Sequence, residues 1–230
     1  MHIKGGATRL YDNLFRQLSS HWGDINIRLI QEYIPETLKR TERLLSHIAK
    51  DNKYVWNKNE PVFSPMHSVQ YAVFLYLLSN TIYKNIGKST EETDSIYYLN
   101  KIMHSCDWFY AISLPEVFFA EHPLGSVLGK ADYGNQFFFY QGCTVGGNRD
   151  KAGKLYYPVI GENVLMYSNS SILGDAVIGN NVIISAGTII VGENIPDNSI
   201  VFGRSPNLII KKRNEKEIQD RQKHLWAKFN

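Results

Sequence analysis

Residues 159–191 read VIGENVLMYSNSSILGDAVIGNNVIISAGTIIV, and this stretch decides the fold because an apolar residue returns at every sixth position. An earlier stretch keeps the same step. The two blocks consist of Val127, Tyr133, Phe139 and Val145, and of Ile160, Met166, Ile172, Ile178, Ile184 and Ile190. A β-sandwich, the competing interpretation, would instead show a period of two with hairpin turns. The period of six therefore predicts a β-solenoid.

A second set of positions, four residues after the first, is mostly small or β-branched. Its members are Ala131, Cys143, Val164, Ser170, Ala176, Val182 and Thr188, with Phe137 and Asn194 as exceptions. One aliphatic and one small inward residue per hexapeptide suit a triangular solenoid, whose sides are short strands and whose corners are tight turns. We expect three hexapeptides to form one coil, and the coils to stack through parallel strand pairing.

The repeat is interrupted once. Val145 and Ile160 lie fifteen residues apart, which is not a multiple of six. Residues 148–157 must therefore leave the solenoid as an excursion loop. Such loops often carry function, although a merely tolerated insertion would leave the same gap.

The segments that flank the repeats show helical periodicity, from about Leu10 to Leu99 and again from Glu215 to Lys228. Chain breakers divide the first segment into four or five predicted helices. They are Gly23–Asp24, Pro35, residues 57–65 and residues 87–93. The predicted fold class is α+β, with an N-terminal helical domain followed by a parallel β-helix and a short C-terminal helix. The predicted domains are residues 1–105, 106–204 and 205–230.

Composition argues against several classes of protein. The formal net charge is only +3 and no basic stripe is present, so a nucleic acid partner is not expected. The two cysteines, Cys106 and Cys143, are too few for a disulfide framework and have no metal-ligand spacing. The start of the chain lacks the apolar segment of a secretory signal, and the longest apolar run, Tyr71 to Leu78, is far short of the ~20 residues of a membrane span. We therefore expect a cytoplasmic protein with no transmembrane segment and no bound metal.

Four motifs, in a fixed order, carry a resemblance to a known family. They are His122-Pro-Leu-Gly-Ser-Val-Leu-Gly129, Gln141-Gly-Cys-Thr-Val-Gly-Gly147, Pro158-Val-Ile-Gly-Glu-Asn-Val164 with the later Ser185-Ala-Gly-Thr188, and Gly203-Arg-Ser-Pro206. Over roughly residues 107–212 the sequence resembles the serine acetyltransferases, which are hexapeptide-repeat acyltransferases. The resemblance implies a left-handed β-helix and a homotrimer that binds acetyl-CoA, its co-substrate, in a groove between subunits. It also implies that the helical domain can join two trimers.

His122 is the candidate general base. Acyl transfer from a thioester to an alcohol requires removal of the hydroxyl proton, and a neutral imidazole suits that task near neutral pH. The resemblance adds two acids, Asp107 and Glu121. Asp107 is the preferred partner to orient the imidazole, because adjacent residues on a strand point to opposite faces, and Glu121 is expected to meet the acceptor. The alternative for each acid is a solvated surface carboxylate.

A glycine pair and two small residues complete the predicted acetyl-CoA site. Gly146 and Gly147 can expose backbone N–H groups to the oxyanion of the tetrahedral intermediate. By the resemblance, Ser168 and Ala186 match positions whose backbone lines the pantetheine groove. Cys143 lies at an inward position, so it is not expected to act as a nucleophile.

Basic residues near the last coil are candidates for the phosphates of coenzyme A. Arg204, Lys211 and Lys212 can neutralise these phosphates, although a solvated cap would explain the same charges.

The chain departs from the family at Tyr156 and Tyr157. Serine acetyltransferases end the excursion loop with an arginine and a histidine that help to hold the amino-acid acceptor. Because the cation for a serine carboxylate is missing here, the favoured acceptor is a carbohydrate hydroxyl, as in a surface polysaccharide or its precursor, stacked on the two rings. Serine O-acetylation is the first alternative and amino-sugar N-acetylation a third option. A catalytically silent β-helix scaffold is the hypothesis from a different class.

Overall fold

The computed structural model describes residues 1–23 and 25–227. The residues group by their contacts into two compact units, residues 1–111 and the residues from 112 onward. The sequence analysis puts this division six residues earlier, between residues 105 and 106. Among the residues that the structure describes, no helix is both long and apolar enough to cross a membrane.

The first unit is mainly helical. Its described elements are α1 (Gly6–Trp22), α2 (Ile27–Ser46), α3 (Ser68–Ile86) and α4 (Glu91–His104), with the short strands β1 (His2–Ile3), β2 (Trp56–Asn57), β3 (Glu60–Phe63) and β4 (Asp107–Trp108). Every residue of α3 from Val69 to Ile82 is buried, so the longest apolar run of the sequence is the core helix of this unit. Helix α4 begins with a capping box in which Thr90 and Thr93 satisfy each other's backbone N–H groups.

Pro35 does not end a helix, so its prediction as a chain breaker is wrong. It lies inside α2, which continues from Ile27 to Ser46. A proline removes one helical N–H donor and crowds the preceding turn. Burial on both sides offsets that cost, since Ile30, Ile34 and Leu44 are fully buried.

The second unit is a parallel β-solenoid with a helical end. In chain order its strands are β5 (Phe118–Ala120), β6 (Val127–Leu128), β7 (Asp132–Tyr133), β8 (Phe137–Phe139), β9 (Thr144–Gly146), β10 (Asn148–Arg149), β11 (Leu155–Tyr156), β12 (Val159–Ile160), β13 (Val164–Met166), β14 (Ser171–Leu173), β15 (Val177–Ile178), β16 (Val182–Ile184), β17 (Ile189–Val191), β18 (Asn194–Ile195), β19 (Ser199–Arg204) and β20 (Asn207–Lys212). They are followed by α5 (Glu215–Gln222).

The strands stack into three parallel ladders, which are the three sides of the predicted triangular coil. Side A consists of β5, β8, β13, β16 and β19; side B of β6, β9, β14 and β17; and side C of β7, β12, β15 and β18. The fold class that the sequence predicts is therefore confirmed.

The predicted inward register is correct except at Val127 and at Asn194, which is exposed while its neighbour Ile195 is 2% exposed. Val127 is 41% exposed, whereas its neighbour Leu128 is 1% exposed and pairs with the buried Val145. Tyr133 is half-buried, and the eight later apolar positions of the repeat are all buried. The step of six fails at Val127 because the following strand, β7, begins one residue sooner than a uniform period requires.

The corner between sides C and A is held by close contacts from coil to coil. A Cβ atom on Gly161 would lie 2.7 Å from the backbone carbon of Gly179, so the backbones approach too closely for a side chain. Beside this column, Asn163 donates from Nδ2 to Oδ1 of Asn181 over 2.9 Å, and Asn181 donates likewise to Asn198 over 3.0 Å. This asparagine ladder ties three successive coils together.

The C-terminal part differs from its prediction. An unpredicted strand, β20, forms an antiparallel hairpin with β19, and α5 ends at Gln222 rather than at Lys228, which lies outside the described residues. The segment after the helix packs on side A, since Trp226 contacts Phe138 with ring centroids 5.9 Å apart, and Ile218 of the helix itself is fully buried.

Candidate active site

His122 lies at the corner between sides A and B, which we call the histidine corner (residues 121–126, 140–143, 167–170 and 185–188). After β5 this corner has two residues more than after β8, β13 or β16. His122 adopts a left-handed backbone with φ of 50°, and its carbonyl accepts a hydrogen bond from the N–H of Leu124 over 2.7 Å. The widened turn leaves the imidazole side chain 73% exposed. A side chain in this position is open to solvent.

Glu121 lies beside the imidazole, contrary to the expectation that neighbouring side chains diverge. Its Oε1 is 3.9 Å from Nε2 of His122, because the pair occupies a corner and not a strand. Tyr140, one coil later, interacts with the carboxylate of Glu121 and stacks on Tyr167 with ring centroids 5.3 Å apart. Burial raises the pKa of Tyr140, and its bond to the carboxylate raises it further. Tyr140 therefore stays protonated at neutral pH, with its hydroxyl available as a hydrogen-bond donor beside Glu121.

Asp107, in the first unit, is already bonded to two side chains. Tyr97 donates its hydroxyl proton to Oδ1 over 2.6 Å, and Nζ of Lys101 donates to Oδ2 over 2.7 Å. Burial pushes the pKa of Asp107 upward, but the hydrogen bonds from Lys101 and Tyr97 and the lysine charge hold it below its ordinary value. Its carboxylate is ionised at neutral pH, and its role beside His122 stays a prediction.

A strip of small and polar residues runs from His122 along the histidine corner. The register of side A aligns His122 with Gln141, Ser168 and Ala186, each two residues after a strand of that side. Ser168 is half-buried, and Ala186 is exposed. Adjacent parallel strands are about 4.8 Å apart, so the strip extends about 14 Å from His122 to Ala186. Side chains as small as these leave room for an extended ligand against the backbone.

Arg204 lies near the far end of this strip, but Lys211 and Lys212 do not. Arg204 follows Gly203, which continues the strip on β19. Lys211 pairs with Ile200 and Lys212 with Ser199, at the opposite end of the same strand. Four residues of strand separate the two ends by about 13 Å. The three cations therefore do not form one cluster, and only Arg204 continues the strip.

The glycine pair lies at a second corner, between sides B and C, which we call the loop corner (residues 129–131, 147–158, 174–176 and 192–193). A Cβ atom on Gly147 would lie 2.8 Å from the backbone oxygen of Tyr156 and 3.0 Å from Cδ1 of Tyr157. Only glycine lets the two segments come this close. A Cβ atom on Gly146, in contrast, would meet no atom closer than Cδ2 of Leu173, at 3.9 Å.

The excursion loop is an ordered arm. Strands β10 and β11 pair antiparallel, and Oδ1 of Asp150 accepts hydrogen bonds from the N–H groups of Ala152 and Lys154, each over 2.9 Å. The arm ends at Tyr156 and Tyr157, both half-buried. Nζ of Lys154 lies 4.7 Å from the ring centroid of Tyr156, and Nζ of Lys130 lies 4.8 Å from that of Tyr157. Sequence reasoning missed both lysines.

The two corners lie at opposite ends of side B. The histidine corner contains His122, Glu121, Ser168 and Ala186. The loop corner contains Gly147 and the tyrosine pair, with Gly146 at the adjoining end of β9. The three residues of β9 span about 10 Å between them. Within one chain, the predicted base and the predicted acceptor-binding residues thus lie apart.

Known proteins share the repeat and part of the sequence. The family model described as bacterial transferase hexapeptide (six repeats) matches residues 157–192. The serine acetyltransferase of Staphylococcus epidermidis is 27% identical over 138 residues, which cover 57% of this chain and 63% of that relative. The resemblance to the serine acetyltransferases is confirmed. The match spans less than two thirds of the length of these curated relatives.

Solved serine acetyltransferases also share the fold. The crystal structure of the Neisseria gonorrhoeae enzyme gives a TM-score of 0.67 at 22% identity, covering 89% of this chain and 80% of that one. A serine acetyltransferase in complex with CoA gives a TM-score of 0.59 at 15% identity, covering 80% of this chain and 75% of that one. The likeness extends over both described units, so it includes the helices as well as the solenoid.

The cysteines and the acidic residues add no further reactive centre to the described part of the chain. Cys106 and Cys143 are buried free thiols, and burial raises the pKa of Cys143. A buried thiol of raised pKa is a poor nucleophile. In residues 1–23 and 25–227, no three His, Cys, Asp or Glu side chains are grouped so that they could hold a metal ion.

Proposed function

We propose that this chain is an acyltransferase that moves an acetyl group from acetyl-CoA to an acceptor hydroxyl, with His122 as general base and L-serine as the first acceptor to test. The observation that carries the proposal is the exposed imidazole of His122 at the head of the strip of small residues, with a carboxylate 3.9 Å away. The similarity to serine acetyltransferases supports the choice of acetyl-CoA and of serine.

The reaction requires one base and one acid, and His122 supplies both. The neutral imidazole takes the hydroxyl proton as the acceptor oxygen attacks the thioester carbon. When the tetrahedral intermediate collapses, the C–S bond breaks and the imidazolium returns the proton to the departing CoA sulfur. The acetyl ester and free CoA are the products.

The carboxylate of Glu121 stabilises the imidazolium that forms during this step. At 3.9 Å it is too distant for a hydrogen bond to Nε2, so its effect is electrostatic. The protonated hydroxyl of Tyr140 is the neighbouring donor that this carboxylate can use. Asp107 is the second candidate for this role, as the sequence analysis proposes.

The separation of the two corners supports an oligomeric site. His122 and the excursion loop lie at opposite ends of side B, so one copy cannot supply both to a single small acceptor. We propose a trimer in which the loop corner of one copy meets the histidine corner of the next, with acetyl-CoA between them. Sedimentation velocity of the purified protein tests this, and a monomer that retains full activity would contradict it.

A carbohydrate hydroxyl is the second candidate acceptor. The observation in its favour is the pair of half-buried rings, Tyr156 and Tyr157, at the end of the loop. Against it, one face of each ring already carries a lysine ammonium. The ammonium groups also place positive charge at the end of the loop. Serine was disfavoured because this part of the sequence lacks the arginine and the histidine of the family, and the two lysines weaken that reason.

Thiol release from acetyl-CoA tests the proposal. Wild type and His122→Ala are compared with L-serine, neutral sugars, uronic acids and nucleotide sugars as acceptors, and His21→Ala serves as a control on an exposed histidine of the first unit. A general base contributes on the order of 10²–10⁴-fold, so we expect His122→Ala to lose that much activity and His21→Ala to lose none. Turnover that survives His122→Ala would exclude this base, and no turnover with any acceptor would favour the scaffold hypothesis.

A further inference from the structure

The helical first unit contains a cavity that the proposed reaction does not use. Its volume is about 560 Å³, and residues from the end of α1, from α4 and from the segment after β4 line it. Pockets of this size bind small organic molecules. In the described part of the chain no basic side chain lines the cavity, and most of its lining is aromatic or acidic: Trp22, Tyr97, Tyr98, Phe109, Glu91 and Asp94.

The aromatic rings of this cavity are held by contacts within the unit. Trp22 lies against Tyr98 with ring centroids 5.7 Å apart, and Tyr97 meets Phe109 edge-on at 5.3 Å. The hydroxyl of Tyr97 donates to Asp107 over 2.6 Å, which fixes that ring further. Tyr98 is nevertheless 53% exposed and Phe109 39% exposed. Rings that are both fixed and open to solvent present ready faces to a ligand.

The two carboxylates of the cavity carry charge that no protein cation neutralises. Glu91 and Asp94 lie three residues apart in the first turn of α4, so they are neighbours on the helix surface. Within residues 1–23 and 25–227 neither of them forms an ion pair. Tyr110 donates its hydroxyl proton to Oδ1 of Asp94 over 2.5 Å, which orients this carboxylate without removing its charge. The helix dipole favours acids in a first turn, but it does not account for the rings around them.

One lysine, which does not line the cavity, contacts one of these rings. The ammonium of Lys101 lies 5.7 Å from the ring centroid of Tyr97 and 2.7 Å from Oδ2 of Asp107. Because Asp107 balances this charge, Lys101 does not offset the charges of Glu91 and Asp94. The contact also shows that the chain already holds an ammonium group against the ring of Tyr97.

We propose that this cavity binds an organic cation, a small molecule with an alkylated or a primary ammonium group. A cation is attracted to the face of an aromatic ring, and methyl groups on the nitrogen bury apolar surface there as well. The carboxylates of Glu91 and Asp94 add an attraction that a neutral ligand cannot use, and they repel the phosphates of coenzyme A. The inference therefore goes beyond the proposed acetyl transfer and does not depend on it.

Choline and its uncharged isostere test the site. Choline is titrated into the full chain by isothermal titration calorimetry, and so is neohexanol, in which a carbon atom replaces the charged nitrogen. We expect choline to bind at least about tenfold more tightly than neohexanol. Ethanolamine is titrated in parallel to distinguish a primary from a quaternary ammonium group, and binding of either compound at this cavity supports the inference.

Two substitutions in the lining, each with a control in the same unit, locate the binding. Tyr98→Leu should weaken choline binding about tenfold and Glu91→Gln about fivefold, because the first removes an aromatic face and the second a charge. Tyr54→Leu and Glu32→Gln change a ring and an acid that do not line the cavity, and they should have no effect. All four side chains are exposed, so we expect the circular dichroism of the variants to match that of wild type.

Three results would overturn the inference. They are the absence of binding by both ammonium compounds, equal binding of neohexanol and choline, and a dissociation constant for choline that neither Tyr98→Leu nor Glu91→Gln changes. Titration needs no turnover, so each of these results is distinct from a failure of thiol release.

Discussion

The later coils of the solenoid repeat after seventeen or eighteen residues, whereas the earlier ones contain two insertions into the repeat. Val164 pairs with Val182, eighteen residues further along the chain, and Val182 pairs with Ser199 after seventeen. Thr144, in contrast, pairs with Ser171 only after twenty-seven. The longer step contains the excursion loop, and one coil earlier the widened corner holds His122. The regular coils provide the stacking that stabilises the fold. The excursion loop and the widened corner carry the residues of the candidate site.

Excision of the loop tests this division of roles most severely. Gly147, Asn148 and Pro158 occupy the positions that Gly174, Asp175 and Ala176 occupy one coil later. Deleting residues 149–157 removes nine residues and restores the regular step of eighteen. We expect the circular dichroism of the solenoid to persist while thiol release falls about 100-fold or more, because the acceptor is no longer positioned. Unfolding of the shortened chain would show that the loop also stabilises the fold.

Ile172→Ala weakens the regular coils directly. Ile172 is fully buried and pairs with Val145 and Ile190 on either side, so its truncation leaves a cavity inside the solenoid. We expect the free energy of unfolding, measured with urea, to fall by about 2–5 kcal/mol. Ile209→Ala removes the same atoms from a side chain that is 58% exposed and should cost less than about 0.5 kcal/mol. Equal losses would mean that burial does not decide the effect.

Substitutions at Asn181 separate two contributions to stability, the hydrogen bonds of the asparagine ladder and the left-handed backbone conformation. Its φ is 54°, and it hydrogen-bonds to Asn163 and Asn198. Asn181→Ala loses the bonds and leaves an alanine in a left-handed conformation, so we expect about 2 kcal/mol of destabilisation by urea denaturation. Asn181→Gly loses the bonds but tolerates the backbone, and it should cost about 1 kcal/mol. Identical losses for the two variants would assign the whole effect to the hydrogen bonds.

Tyr140→Phe changes the histidine corner without altering a side chain inside the coil. The ring keeps its stacking on Tyr167, but the hydroxyl that interacts with Glu121 is lost. We expect kcat/KM to fall about tenfold, equivalent to about 1.4 kcal/mol, with no change in the melting temperature. Tyr167→Phe keeps both rings and removes a hydroxyl that does not hold Glu121, so it should have no effect. A matching loss in both variants would exclude a specific role for Tyr140.

The sequence predicts the regular coils well because their signal is periodic and local. Nearly every inward position follows from the step of six, and the gap between Val145 and Ile160 locates the loop without any knowledge of its shape. The step fails at Val127 because a departure from the period precedes β7. Pro35 shows a similar failure, since tertiary burial overrides a local rule.

The contacts of the candidate site are harder to predict, because they join residues that only coiling brings together. Tyr140 reaches Glu121 from one coil later, and Lys130 reaches Tyr157 across the excursion loop. The expectation that Glu121 turns away from His122 assumed an extended strand, but the left-handed turn at His122 invalidates it. A register of the whole solenoid, written out before contacts are assigned, would have aligned Tyr140 with Glu121.

The hairpin of β19 and β20 also limits how further chains can add to the end of the solenoid. A stack of parallel strands leaves its last strand free to pair, and such an edge is a template on which another chain can add. Along side A that edge is taken by β20, which runs antiparallel and carries the exposed Lys211 and Lys212. Like charges there repel a second hairpin of the same kind. The ladder of side A therefore terminates within each molecule, and this side is protected from growing end to end into a fibre.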